Sequence, residues 1–417
     1  MKPVSIVHPI SAGIVASITG FASSFVLLIA GLRAVGATEA EAASGLLVLC
    51  VFQGALAIGM SLRYRLPLSF AWSTPGAALL VAAHKTTGDF HAAVGAFLLC
   101  GLLLLATGLW PWLARTMTRI PRPIASAMLA GILFPICLSP VFAAVQLPLL
   151  ALPPIAVWLV LTRLAPRWAV AGAVVATTVA VVLSGPQIAA VHLLPTIRIV
   201  LPSFEPFVLI GLGIPLYIVT MAGQNVPGFA VLRTFGYENP PARAMLTGAG
   251  LATTIGSVFG AYALNLSAIT AAMMAGPDAH PDRDRRWIAT VSSGVALLVL
   301  GLAAGAATAL VSASPPILIE AVAGLALFGA LIGAVTAALE EPQHRVVAIV
   351  TFLVVASGIQ LFNIGSAFWG LVVGAVVMIV LTVGRGRSSA AARPVAPVAN
   401  AATAATDSSE SLKPPVS

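Results

Sequence analysis

Charge is what this chain has least of. Asp, Glu, Lys and Arg together make up 8% of its 417 residues, where a soluble domain carries about a quarter. With 59% of positions hydrophobic and a mean hydropathy of +1.04, no soluble core could hide so much apolar surface. Cysteine is almost as scarce. Cys50, Cys100 and Cys137 sit inside apolar runs with no Cys-x-x-Cys or Cys/His spacing, so metal and redox readings lack support and the three read as small buried hydrophobes. No cofactor is expected. Clusters of His, Asp, Glu or Cys at catalytic spacing are missing too, which disfavours a membrane enzyme. The histidines (His8, His84, His91, His192, His280 and His344) fall at the ends of runs or in loops, leaving no mid-membrane proton relay.

What the chain does have is apolar length, judged against the roughly 20 residues that cross a bilayer. Runs of spanning or near-spanning length occur at 11–32, 42–61, 88–110, 123–142, 149–162 and 168–184, with a short segment at 69–83. The second half gives 204–226, 244–261, 263–276, 287–312, 315–338, 344–359 and 364–383. The first run continues past Phe25 to Leu32, which marks a transmembrane helix rather than a cleaved signal. Placing the N-terminus inside puts every Lys and Arg except Arg33, Lys85 and Arg198 on the cytoplasmic face, the positive-inside signature. Dropping either short segment would invert everything after it and spoil that bias. The net charge of +8 therefore reports topology and contact with anionic lipid; nucleic-acid binding is not implied.

An odd number of crossings per half makes the second half enter from the opposite face, so the repeats are inverted. Punctuation agrees: Gly213 follows Gly20, and Pro316 follows Pro123, at the same offset of 193 residues, as an internal duplication would leave it. The expected fold is an all-α polytopic membrane protein of about 14 segments in two inverted repeats. The first repeat covers 1–184, a connecting loop 185–203 and the second repeat 204–384, with a disordered cytoplasmic tail over 385–417. Both termini are then cytoplasmic.

Two broken segments occupy corresponding places in the halves. In Phe70-Ala-Trp-Ser-Thr-Pro-Gly-Ala-Ala77, an extended stretch runs into Ser73 or Thr74 as a helix cap, with Pro75 suited to the first helical position. In Tyr262-Ala-Leu-Asn-Leu-Ser-Ala-Ile-Thr270, extended character gives way at Asn265 to Leu266 and Ser267, with Asn265 or Ser267 as the cap. Each reads as a half-helix starting inside the membrane, where its free N–H groups and positive dipole end attract an anion. Backbone interrupted at that depth must line a cavity or be buried in protein. Deep amides at Gln224 and Asn225 either bond neighbouring helices or face substrate. The first span offers Thr19, Phe21, Ser23 and Ser24. Glu320 is the one carboxylate clearly within an apolar run, so it is the candidate proton carrier unless it is merely interfacial.

Three stretches, Trp72-Ser-Thr-Pro-Gly-Ala-Ala-Leu79, Gln224-Asn-Val-Pro-Gly228 with Ala230-Val-Leu-Arg233 and Gly236-Tyr237, and Leu264-Asn-Leu-Ser-Ala-Ile-Thr-Ala271, carry a resemblance. Over about residues 5–384 the chain resembles the benzoate/proton symporter family of bacterial inner membranes. More distantly it is similar to the nucleobase and sulfate transporters of the seven-plus-seven inverted-repeat fold, with core and gate subdomains. Nucleobase relatives hold the ring with carboxylates in the eighth and tenth spans. Here those regions carry Gln224, Asn225 and Asn265 instead, which suits an anionic ligand that a fixed carboxylate would repel. The resemblance implies import of an aromatic monocarboxylate, benzoate foremost, together with a proton, across the bacterial inner membrane. The carboxylate would sit between Ser73-Thr74 and Leu266-Ser267, bonded by Gln224 or Asn225, with Phe21, Trp72 or Tyr262 against the ring. A transporter or exchanger of inorganic or other organic anions, of the same fold, is the rival, and a homodimer is left open.

Overall fold

The structure is a computed structural model that describes residues 7–83, 88–110, 112, 121–184, 194–362 and 364–383. The tail expected over 385–417, and the loop charges Lys85, Arg115 and Arg119, lie outside the described residues. Met1–Val377 form one compact unit; of a second, Met378–Ser417, only Met378–Val383 are described.

The first half contains α1 (Val7–Ala34), α2 (Glu39–Tyr64), β1 (Phe70–Trp72), α3 (Thr74–Ala82), α4 (Phe90–Leu109), α5 (Arg122–Gln146), α6 (Pro148–Leu164) and α7 (Ala169–Leu183). The second half contains α8 (Pro206–Thr234), α9 (Ala242–Ser257), β2 (Leu264–Leu266), α10 (Ile269–Ala275), α11 (Trp287–Gly301), α12 (Ala304–Ala313), α13 (Pro316–Leu339), α14 (Arg345–Ala356) and α15 (Ser366–Val383).

Local chemistry sets many of these boundaries. Thr38 and Glu41 close a capping box at the start of α2, with the Thr38 N–H donating to Glu41 Oε2 at 2.8 Å; this satisfies donors that the first turn leaves free. Prolines open α6, α8 and α13, where their missing N–H costs nothing.

Seven helices among the described residues are long and apolar enough to cross a membrane: α1, α2, α4, α5, α7 with the turn before it, α8 and α13. The run expected over 287–312 is instead broken between α11 and α12, which are bent by 57° and, counted as one broken span, bring the candidate crossings among the described residues to eight. Gly301, at the break, is packed against Cys50 of α2. Leu149 is 88% and Leu183 80% exposed, an arrangement that lipid stabilises and water does not. Inside, helices meet through small residues. At the α4/α9 contact, a Cβ on Gly101 would lie 2.6 Å from the Thr254 nitrogen and one on Gly250 2.3 Å from that of Leu105.

α8 departs from a plain helix. Leu209–Gly213 and Met221–Asn225 are π-helical turns, each just ahead of a proline, Pro215 or Pro227. A proline ring collides with the carbonyl four residues back, and the wider turn relieves that clash.

Candidate substrate cavity

The two broken segments meet at the centre of the fold. β1 and β2 pair antiparallel, with Phe70 opposite Leu266, Ala71 opposite Asn265 and Trp72 opposite Leu264. The ribbon continues one bond at each end, from the Ser73 N–H to the Ala263 carbonyl (2.9 Å) and from the Ser267 N–H to the Ser69 carbonyl (3.0 Å). Pairing satisfies backbone groups that lipid could not. α3 and α10 then leave the ribbon.

Ser73 caps α3: its Oγ accepts the Gly76 N–H at 3.1 Å and the Thr220 hydroxyl at 2.9 Å. Thr74 is the first helical residue, so Pro75 stands second rather than first. Proline has no N–H and that of Gly76 is taken, so this helix end offers a ligand the Thr74 N–H, the Thr74 hydroxyl and the dipole. At the other segment Asn265 lies within the strand and is not the cap. Nor is Ser267, which stands one residue before the cap, Ala268, although its Oγ accepts the Thr270 N–H at 3.2 Å and meets the Thr270 hydroxyl.

Between these ends and α1 lies a cavity of about 650 Å³, solvent at its mouth included. Thr74 and Ser267 both line it, with Phe21, Trp72 and Gln224. The Phe21 and Trp72 rings meet edge to face, 6.1 Å between centroids, and the Trp72 indole N–H donates to Ser24 Oγ at 3.0 Å. That bond fixes an aromatic wall and occupies the hydroxyl of Ser24, itself a lining residue. Among the described residues no lining residue carries a formal charge, so the electrostatics come from hydroxyls, two amides and the positive ends of α3 and α10.

The remaining residues singled out in the sequence stand behind this lining. Asn225 is fully buried; its Oδ1 accepts the Leu266 N–H at 2.9 Å and its Nδ2 contacts Met221 Sδ at 3.2 Å. Leu266 is held by that bond and by Gly228, where an added Cβ would come 2.7 Å from Leu266 Cβ. Tyr262 is fully buried, and its hydroxyl donates to the Ser73 carbonyl at 3.0 Å, so it braces the two segments rather than facing the cavity. Asn265 shares the ribbon face of its partner Ala71, which lines the cavity, and both its amide atoms are buried without a hydrogen-bond partner among the described residues. Glu320, five residues into α13, accepts a hydrogen bond from Ser139 Oγ at 3.4 Å and is not among the lining residues.

Sequence reading passed over Gln53 of α2 and Ser293 and Leu297 of α11, all of which line the cavity. Gln53 carried a usable signal as the one amide in the run 42–61. Ser293 did not, since its link to α1, a 2.7 Å bond with Ser17 Oγ, spans 276 residues. A second, more open cavity is lined by His8, Arg167 and Asp278 and shares Met273 with the first.

A many-helix membrane fold with a central, polar-lined cavity between two half-helices defines a membrane transport protein. The chain belongs to the benzoate membrane transport protein (BenE) family, whose model matches residues 4–380. It is 37% identical to the inner membrane protein YdcO of Escherichia coli over 378 residues, covering 89% of this chain and 95% of that one. It is 32% identical to the benzoate membrane transport protein of Acinetobacter baylyi over 326 residues, 78% of this chain and 82% of that one. Among solved structures, the transmembrane domain of the cyanobacterial bicarbonate transporter BicA shares the fold at a TM-score of 0.54 and 14% identity, covering 90% of this chain and 98% of that one. The murine anion transporter Slc26a9 in its inward-facing state does so at 0.61 and 13%, over 90% of this chain and 68% of that one.

Proposed function

We propose that this protein imports an aromatic monocarboxylate, benzoate foremost, together with a proton, by alternating access across the bacterial inner membrane. The observation that carries this reading is an uncharged cavity that brings two helix N-termini and the Gln224 amide beside an aromatic wall. Donors and dipoles suit a carboxylate; Phe21 and Trp72 suit a ring. The name of the Acinetobacter relative points the same way. An inorganic anion would use the same helix ends and leave the aromatic wall idle.

Antiparallel pairing of β1 with β2 supports fourteen segments in two inverted repeats, 1–184 and 204–384, because segments related by an in-plane axis meet head to tail. The shorter helices α6, α9, α14 and α15 then count as crossings, and both termini are cytoplasmic. Glu320 is the only carboxylate, among the described residues, inside a helix beyond its terminal turn, which makes it the coupling group of this reading.

Purified protein in liposomes, given labelled benzoate and an acidic outside, tests the function. Uptake rises with the imposed gradient and collapses with a protonophore, and Glu320→Gln loses the response to the gradient while still binding benzoate. Uptake that requires sodium and ignores pH contradicts the coupling.

A further inference from the structure

Benzoate leaves part of this cavity unanswered. Gln53 is 7% exposed, lines the cavity, and its Oε1 is buried with no hydrogen-bond partner among the described residues; the Thr19 hydroxyl, also in the lining, is in the same state. The other hydroxyls of the α1 wall are engaged: Ser23 and Ser24 donate to the Gly20 carbonyl, and Ser17 bonds Ser293. A mid-helix threonine ordinarily satisfies itself on the preceding turn, so an idle Thr19 on α1 and an idle Gln53 on α2 are two unmet polar groups among the residues that line one cavity. Neither is needed by the carboxylate of the proposed function, which has Thr74, Ser267 and Gln224.

We propose that Gln53 and Thr19 determine specificity by reading a ring hydroxyl, so that the cavity takes hydroxylated aromatic carboxylates as well as benzoate and binds at least one of them more tightly. The inference rests on the reading of the cavity as an aromatic-carboxylate site. Turning of the Gln53 amide brings its Oε1 to accept a phenolic O–H, and rotation of the Thr19 side chain lets its hydroxyl donate to or accept from the same kind of group. A plain benzene ring presents only C–H and leaves both polar atoms desolvated, and sites built to bond a hydroxyl discriminate strongly against ligands that lack it.

The test is displacement of labelled benzoate from the purified full chain by benzoate and by 2-, 3- and 4-hydroxybenzoate. At least one hydroxy isomer binds ten-fold or more tightly than benzoate, and in Gln53→Met and Thr19→Val the ratio of the two affinities falls towards one. The ratio is read within each variant, so a general loss of affinity does not imitate the effect; the wild-type comparison stands even if a variant does not fold. If no hydroxy isomer outcompetes benzoate, as when water satisfies both groups, or if the advantage survives in both variants, the proposal is overturned. Absence of any benzoate binding instead overturns the aromatic-carboxylate reading beneath it.

Discussion

Gln224 and Asn225 are neighbours in one π-helical turn, yet Asn225 is sealed against the Leu266 backbone while Gln224 reaches the cavity and spends no side-chain hydrogen bond among the described residues. Their substitutions should separate accordingly. Asn225→Ala strands the Leu266 N–H in an apolar interior, a cost of about 1–3 kcal/mol, read as a lower unfolding temperature in detergent. Gln224→Ala leaves that temperature near wild type and weakens benzoate binding. Gln224→Glu weakens it further at neutral pH, since two like charges roughly 5 Å apart repel by about 3 kcal/mol at an effective dielectric near 20; binding recovers as the new acid is protonated. Normal binding by Gln224→Glu, with loss in Asn225→Asp, would reverse the two roles. The sequence announced both amides as costly at that depth. It could not assign them, because the side each faces depends on a π turn and on a strand 41 residues away.

At the scale of elements, the broken segments were legible because serine, threonine, proline and glycine cluster where an apolar run should continue. Their pairing was not, since hydrogen bonds between Phe70–Trp72 and Leu264–Leu266 depend on residues far apart in the chain. Gly228 ties α8 to that ribbon, and Gly228→Ala must push Leu266 away. The expected result is loss of benzoate binding with α-helical content unchanged, checked by circular dichroism beside a binding assay.

Gly236 and Tyr237, part of the same sequence signature, do a different job. The Tyr237 hydroxyl donates to the Arg283 carbonyl at 3.1 Å, Arg283 stacks 4.3 Å over the Tyr237 ring, and Arg283 donates in turn to the Gly236 carbonyl. Together they latch the turn after α8 to the segment before α11. Burial pushes the Tyr237 phenol above its ordinary value, with Arg286 and Arg283 opposing. A raised folded-state value means that the latch contributes fully below the unfolded value of about 10 and is lost as pH rises through the higher folded one. Thermal unfolding of wild type should therefore fall more steeply above pH 10 than that of Tyr237→Phe; parallel curves contradict this.

Across the whole molecule, apolar runs and the positive-inside bias were enough to read a polytopic helical membrane protein, because both are summed over many residues. The break between α11 and α12 escaped, as composition there stays apolar throughout. The lining from α2 and α11 escaped for another reason: a cavity is a property of packing, and Gln53 and Ser293 belong to it only once α2 and α11 pack on each other at Gly54 and Gly294 and both meet α1. The central claim is that one cavity, walled by both half-helices, holds the aromatic carboxylate. A structure determined with saturating benzoate tests it most directly. The account predicts the carboxylate between Thr74 and Ser267, within reach of Gln224, and the ring against Phe21 and Trp72. Benzoate bound instead in the open cavity beside His8, Arg167 and Asp278, with the central one unfilled, would contradict it.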